Sequence, residues 1–250
     1  MEVHHHPHVE KKNFKEYLME GLMIFLAVSM GFFAENIREH FVNKERESKY
    51  INSLVEDLSK DITQLPGLVK NIQVQQLEAA DSLPVLLKNI DAHKPANKIY
   101  FYLRGITRQQ PINAFVTDRT IVQLKNSGEM RLISNHQIAD QLIDYYKKIA
   151  FVASLQDFLG QMKTELGKSE LPLLDSYSFD KVSDTLDNLV IPLDPIYLRS
   201  ADPLSINNSL IEISYIRGLS KAIKKYILNI KDEAVTIRKL IIDKYELKNE

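Results

Sequence analysis

A single apolar block near the N-terminus constrains this 250-residue chain more than any other feature. Residues 20–36 read EGLMIFLAVSMGFFAEN, and no charged residue occurs from Gly21 to Ala34. A helix of that stretch would cover roughly 20 Å, whereas the hydrocarbon core of a bilayer is about 30 Å thick. Apolar residues on both flanks lengthen the helix, so a helix over residues 17–37 is long enough to span a membrane.

The distribution of residues within the block favours a membrane-spanning helix over its rivals. Its large apolar residues occupy every side of the helix, whereas a surface helix of a soluble protein would keep a polar face. A cleaved signal peptide would show a small-residue site followed by a loop, but Ala34-Glu35-Asn36 runs into further helix-forming sequence. We therefore predict an uncleaved span. A buried helix of a soluble protein and a signal or re-entrant segment are the alternatives.

Two small residues in the predicted span, Ala27 and Gly31, lie four positions apart and share a helix face. Such spacing lets two spans approach closely, so these residues are candidates for membrane-helix packing. The alternative is that small residues are simply common in spans.

Beyond the span, apolar residues recur at three- and four-residue steps, and no comparable alternating strand pattern occurs. Residues 38–66 predict a helical stalk that ends at Pro66. A long helix capped by Asn135 is expected to end near Gly167. Prolines then interrupt residues 171–208.

The last predicted helix begins at Asn208 or Ser209 and carries an apolar seam typical of coiled-coil packing. Together these patterns predict an all-α protein in which one N-terminal transmembrane helix continues into a stalk and an antiparallel helical bundle follows. The expected boundaries are 1–16 for a His-rich polar tail, 17–37 for the transmembrane helix, 38–66 for the stalk and 67–250 for the bundle, which includes an irregular Pro-rich connection at 171–208.

Composition argues against several chemistries. The net charge is −1 and the basic residues alternate with acidic ones, so nucleic acid is not an expected partner. The chain has no cysteine, which removes thiol catalysis and thiolate metal sites. Gly167-Lys168-Ser169 lacks the earlier glycine of a phosphate-binding loop, because Met162 occupies that position. No catalytic residue and no cofactor-binding residue is assigned, and the chain is not expected to be an enzyme.

The N-terminal tail supplies the only dense group of metal-ligating side chains in the sequence, namely His4, His5, His6 and His8. Clustered imidazoles bind divalent transition metals in almost any flexible peptide. Pro7 prevents a regular helix here, so a preformed site within one tail is not expected. The alternative is a polar tail with adventitious metal affinity.

Two stretches together resemble a family of uncharacterised single-pass membrane proteins of Bacteroidota. The first contains Tyr50, Ser53, Leu54, Asp57 and Leu58 in the pattern Y-x-x-S-L-x-x-D-L, after the span and a charged stretch. The second is LKNSGEMRLISN from Leu124, followed by the pair Tyr145-Tyr146. The resemblance covers most of residues 17–150. It implies an inner-membrane anchor and a helical extracytoplasmic domain, and it implies no activity.

Orientation rests mainly on this resemblance, because the basic residues on the two sides of the span nearly cancel. We expect an inner-membrane protein with a periplasmic C-terminal domain. The expected role is a non-enzymatic membrane-anchored interaction or scaffold module, whose partners are the lipid bilayer and a protein or a second copy of the chain. The alternatives are a sensor-like domain for a small ligand and a metal-handling protein that uses the histidine tail.

Overall fold

The computed structural model describes residues 13–88, 90–108 and 110–247. Within these residues the secondary structure is helical and contains no strand, which confirms the all-α prediction. The chain divides into two compact units, with the boundary between Lys49 and Tyr50.

The described chain contains seven α-helices. Helix α1 covers Phe14–Asn71 and passes through a π-helical turn, Ile72–Leu77, into α2, Glu78–Lys88. The other helices are α3 (Asn97–Thr107), α4 (Arg119–Asn126), α5 (His136–Glu170), α6 (Ser176–Asp180) and α7 (Pro203–Tyr245).

The described part of the first unit, residues 13–49, covers the beginning of α1 and contains the apolar block. No residue of 13–49 is buried, and large side chains such as Phe25 (66% exposed) and Phe32 (73% exposed) face outward. This helix is long and apolar enough to cross a membrane, and the described chain contains no second helix of that kind.

The second unit is a bundle built around α1, α5 and α7. Its core begins at Ile51, so residues that the sequence assigned to a stalk belong to the bundle. Helix α7 runs antiparallel to α5, because Lys148 pairs with Glu233 while the ring of Phe151 lies 5.4 Å from that of Tyr226.

Helix α7 is also antiparallel to the part of α1 in the bundle. Arg238 donates to Ser59 at 2.7 Å, and Ser220 donates to Gln76, in the π-helical turn, at 2.9 Å. The predicted coiled-coil seam of α7 is therefore packed on both neighbours, and the polar Ser220 has a buried partner.

Three predicted helix boundaries are wrong: the C-terminal ends of α1 and α5 and the start of α7. Helix α1 does not end at Pro66: this residue lacks the N–H for a helical hydrogen bond, but Leu65 and Leu68 beside it are fully buried, and their packing carries the helix onward. Helix α5 does not end at Gly167 but at Glu170. The only glycine with positive φ in the described chain is Gly128, so Gly167 is not a left-handed cap.

Helix α7 also starts earlier than the sequence predicts. The helix begins at Pro203, not at Asn208 or Ser209, because the side chain of Asp202 accepts a hydrogen bond from the Ser205 amide at 2.8 Å. Proline is favourable at the first helical position, where its missing N–H would have no helical partner.

Candidate functional site

The residues singled out in the N-terminal region bear on function in different ways. His4, His5, His6 and His8 lie outside the described residues, and their predicted metal affinity stays a prediction. Ala27 and Gly31 lie on the exposed helix of the first unit, and a Cβ added at Gly31 would meet no atom within 4 Å. Their face is sterically open in this single chain, and self-association through it stays a prediction.

The two sequence stretches that carry the family resemblance meet inside the bundle. Asp57 is fully buried and accepts hydrogen bonds from the Arg119 side chain at 2.7 Å and from the Thr120 amide at 3.2 Å. The N-terminus of α4 is therefore capped by a carboxylate from α1, while its own cap residue Asp118 makes no side-chain cap.

One helical turn further along α1, Asp61 joins the same segment to α5. Its carboxylate accepts from the Thr117 amide at 2.6 Å and from the Tyr145 hydroxyl at 2.7 Å. Tyr146 donates to the Thr117 carbonyl at 2.9 Å. Burial raises the pKa of Asp61 to about 6, although both donors act in the opposite direction.

These contacts give the residues of the two stretches a structural role in this chain. Tyr50 of the first stretch donates to Glu129, which lies within the second. Asp57 and Asp61 have their acceptors used by backbone and side-chain donors of the bundle itself. The cluster therefore fixes α4 and the following turn against α1 and α5.

A different region offers space for a ligand. An open pocket of about 950 Å³ lies at the C-terminal end of α5 and is bordered by α6, the end of α3 and the segment around Arg199. Its apolar lining comes from Leu171, Leu174 and Phe179. Its volume is within the range of small-molecule sites.

Two buried charged residues of α5 line this pocket. Lys163 is 3% exposed and donates to the Arg108 carbonyl at 2.5 Å, and burial lowers its pKa to about 7. Glu170 is also 3% exposed, and burial raises its pKa to about 8. Among the described residues, no group donates to Oε2 of Glu170.

The wall opposite α5 is held in place by several specific contacts. Asp175 caps α6 by accepting from the Ser178 amide at 3.0 Å, and the Asp175 amide donates to the Tyr100 hydroxyl at 2.7 Å. The guanidinium of Arg104 lies 4.9 Å from the centroid of the Phe179 ring. The pocket wall is therefore held against α3.

The sequence interpretation missed this pocket although a signal was present. From Ile138 to Val152 the buried residues of α5 follow steps of four and three. Continuing that spacing leads to Gln156, Leu159, Lys163, Leu166 and Glu170. Polar residues on a seam that should be apolar are the pattern that would have marked the site.

Comparison with protein-family models, with curated proteins and with solved structures finds no match to this chain.

Proposed function

We propose that the chain is a membrane-anchored helical interaction module without catalytic chemistry of its own. Its anchor lies in the inner membrane, and its bundle holds a protein partner or a second copy of the chain. The observation that carries this proposal is the helix in residues 14–37, whose large apolar side chains are exposed on every side.

The physical reason is the free energy of hydrating that surface. Leaving a large apolar side chain in water instead of burying it costs about 1.5–3 kcal/mol. Large apolar side chains of the helix that are at least 49% exposed include Leu22, Ile24, Phe25, Leu26, Val28, Phe32 and Phe33. Their combined exposure strongly favours moving this helix out of water. Lipid is the environment that covers all sides of one helix at once.

Fractionation of lysed cells tests the anchor. The full chain is expected in the membrane pellet after a high-salt wash and in the supernatant only after detergent is added. Leu26→Arg should weaken insertion, because arginine at the centre of a span costs about 2.5–3.5 kcal/mol. Val85→Arg is the matched control, since Val85 is also exposed but lies in the bundle. A wild-type chain that stays in the supernatant without detergent contradicts the proposal.

The partner is tested separately. Cross-linking in intact membranes, followed by gentle solubilisation, should capture either a stoichiometric protein or a dimer of this chain. A chain that remains monomeric and alone at its native expression level contradicts the interaction role while leaving the anchor intact.

A second candidate function is small-ligand binding by the bundle. The specific observation in its favour is the pocket at the end of α5, which combines apolar walls with two buried charged residues. In this case the ligand would act through a partner in the membrane.

A further inference from the structure

We infer that the pocket at the end of α5 binds an organic amine, whose ammonium group donates to Glu170 and whose apolar body lies against Leu171, Leu174 and Phe179. This inference rests on the second candidate function and specifies its ligand class.

The first step concerns Glu170. A carboxyl that is removed from water costs free energy unless its oxygens receive hydrogen bonds. Glu170 is buried at the pocket wall, and its Oε2 receives none from the described residues. The pocket thus holds a buried acceptor that a ligand can satisfy by donating a hydrogen bond.

The second step compares Glu170 with the cationic groups of the pocket. Lys163 already has a backbone carbonyl as acceptor, and Lys168 pairs with Glu165 at 2.7 Å. The side chain of Arg199 is exposed, so water can solvate its charge. None of these cations needs an anionic ligand in the way that the Glu170 carboxyl needs a donor.

The third step concerns the other acids and the shape of the ligand. Asp175 is occupied as the cap of α6, and Asp180 is exposed. Lys163 lies seven residues before Glu170, or about 10 Å along the helix, which is two turns. A ligand with one ammonium at Glu170 therefore stays two turns from the cation at Lys163, and its apolar part fills the space towards Phe179.

Protonation gives this binding a distinctive signature. With its pKa at about 8, Glu170 holds a proton at pH 7 in the empty pocket. An ammonium group favours the ionised carboxylate, so binding transfers that proton to the solvent. We expect release of close to one proton per bound amine at pH 7. A neutral donor such as an alcohol would release none.

The test uses the full chain in nanodiscs of zwitterionic lipid, with empty nanodiscs as blanks. Hexylamine, hexanol and hexanoate share a tail and differ in the head group, and they are titrated calorimetrically in two buffers with different ionisation enthalpies. Hexylamine should bind at least tenfold more tightly than the other two, with release of close to one proton.

Variants then locate the site. Glu170→Gln should weaken hexylamine binding at least tenfold and abolish proton release, while Asp140→Asn, at an exposed position near the other end of the same helix, should leave both unchanged. Circular dichroism checks that each variant is folded. Phe179→Leu provides a measurement independent of the carboxyl change: it should weaken hexylamine and hexanol alike and leave proton release intact.

The outcomes separate the two levels of the proposal. Preferred binding of hexanoate, or hexylamine binding that Glu170→Gln leaves unchanged, overturns the amine assignment but not ligand binding by the pocket. If none of the three probes binds, both the amine assignment and the second candidate function fail, and the anchored interaction role is unaffected.

Discussion

Burial of Glu170 without a protein donor should make the bundle less stable as pH rises. Its pKa lies at about 8 in the folded chain, against an ordinary 4.5. Between these values the folded chain holds more protons than the unfolded chain, so the free energy of unfolding decreases with increasing pH. The destabilisation is absent well below pH 4.5, grows through the window and is complete above pH 8.

The magnitude follows from the two pKa values. One pKa unit corresponds to about 1.36 kcal/mol, so the interval from 4.5 to about 8 sets a ceiling of about 5 kcal/mol. Integration of the titration gives about 1 kcal/mol at pH 5, about 3 kcal/mol at pH 7 and nearly the full value at pH 9. The change from pH 5 to pH 9 is therefore about 4 kcal/mol.

Glu170→Gln isolates this contribution, because glutamine has nearly the same volume and does not titrate. The free energy of unfolding of the bundle is measured by denaturant titration at pH 5, 7 and 9 for both proteins. The variant should gain about 4 kcal/mol relative to the wild type between pH 5 and 9. Burying the glutamine amide can shift the stability of the variant by a constant amount at every pH, but such a constant shift does not affect the change between pH 5 and pH 9.

Comparison with the variant is needed because Lys163 titrates in a neighbouring window. Burial lowers its pKa from 10.5 to about 7, so the folded chain holds fewer protons between these values and stability rises with pH there. The two effects oppose each other in the wild type, whereas Lys163 is common to both proteins and cancels from the difference.

The exposed Glu165 supplies the control. Its Gln variant should differ from the wild type by less than about 1 kcal/mol at all three pH values. If the curves of the wild type and Glu170→Gln run parallel from pH 5 to 9, the Glu170 carboxyl is hydrated or paired in solution and the reasoning is refuted.

Three further predictions concern the core and the span. Asp57→Ala should destabilise the bundle by about 3 kcal/mol in thermal unfolding, because α4 loses its cap and Arg119 loses its buried partner. Glu56→Ala removes only the exposed partner of Arg119 and should cost less than about 1 kcal/mol. Ile227→Ala should lower the free energy of unfolding by about 2–5 kcal/mol, and Leu228→Ala, at a partly exposed neighbouring position, should lower it much less. Equal losses in denaturant titration would contradict the packing of α7. Gly31→Leu should reduce dimer formation in a membrane cross-linking assay if spans pair through this face, and an unchanged dimer yield excludes it.

The sequence predicted the fold best where local chemistry determines the structure. Asn135 was identified as the cap of α5, and its side chain accepts from the Ile138 amide at 3.2 Å. The apolar seam of α7 was also identified, because its residues repeat at regular steps. Prolines were misread for a physical reason: at Pro66 tertiary packing outweighs the lost hydrogen bond, and Pro203 opens a helix instead of breaking one.

The candidate site was less predictable. Lys163 and Glu170 look like ordinary surface residues of a charged helix, and only the register of the seam places them inside. Asp57 belongs to a pattern noted in the sequence, but its partner Arg119 lies 62 positions away along the chain. Asp61 is not part of that pattern, and its partners lie 56 and 84 positions away. Periodicity cannot indicate which loop reaches a given helix face, so neither the capping of α4 nor the pocket wall could be inferred.

The position of α7 in the chain has a consequence for biosynthesis. Its hydrogen bonds to α1 and to the π-helical turn join residues separated by 144 to 179 positions, and it also packs against α5. Until the ribosome has delivered these 43 residues, the apolar faces of the earlier helices that pack on α7 stay uncovered. Long-range closure of this kind is slow. Nascent chains should therefore depend on chaperones until α7 docks, well after the apolar helix in residues 14–37 has left the exit tunnel.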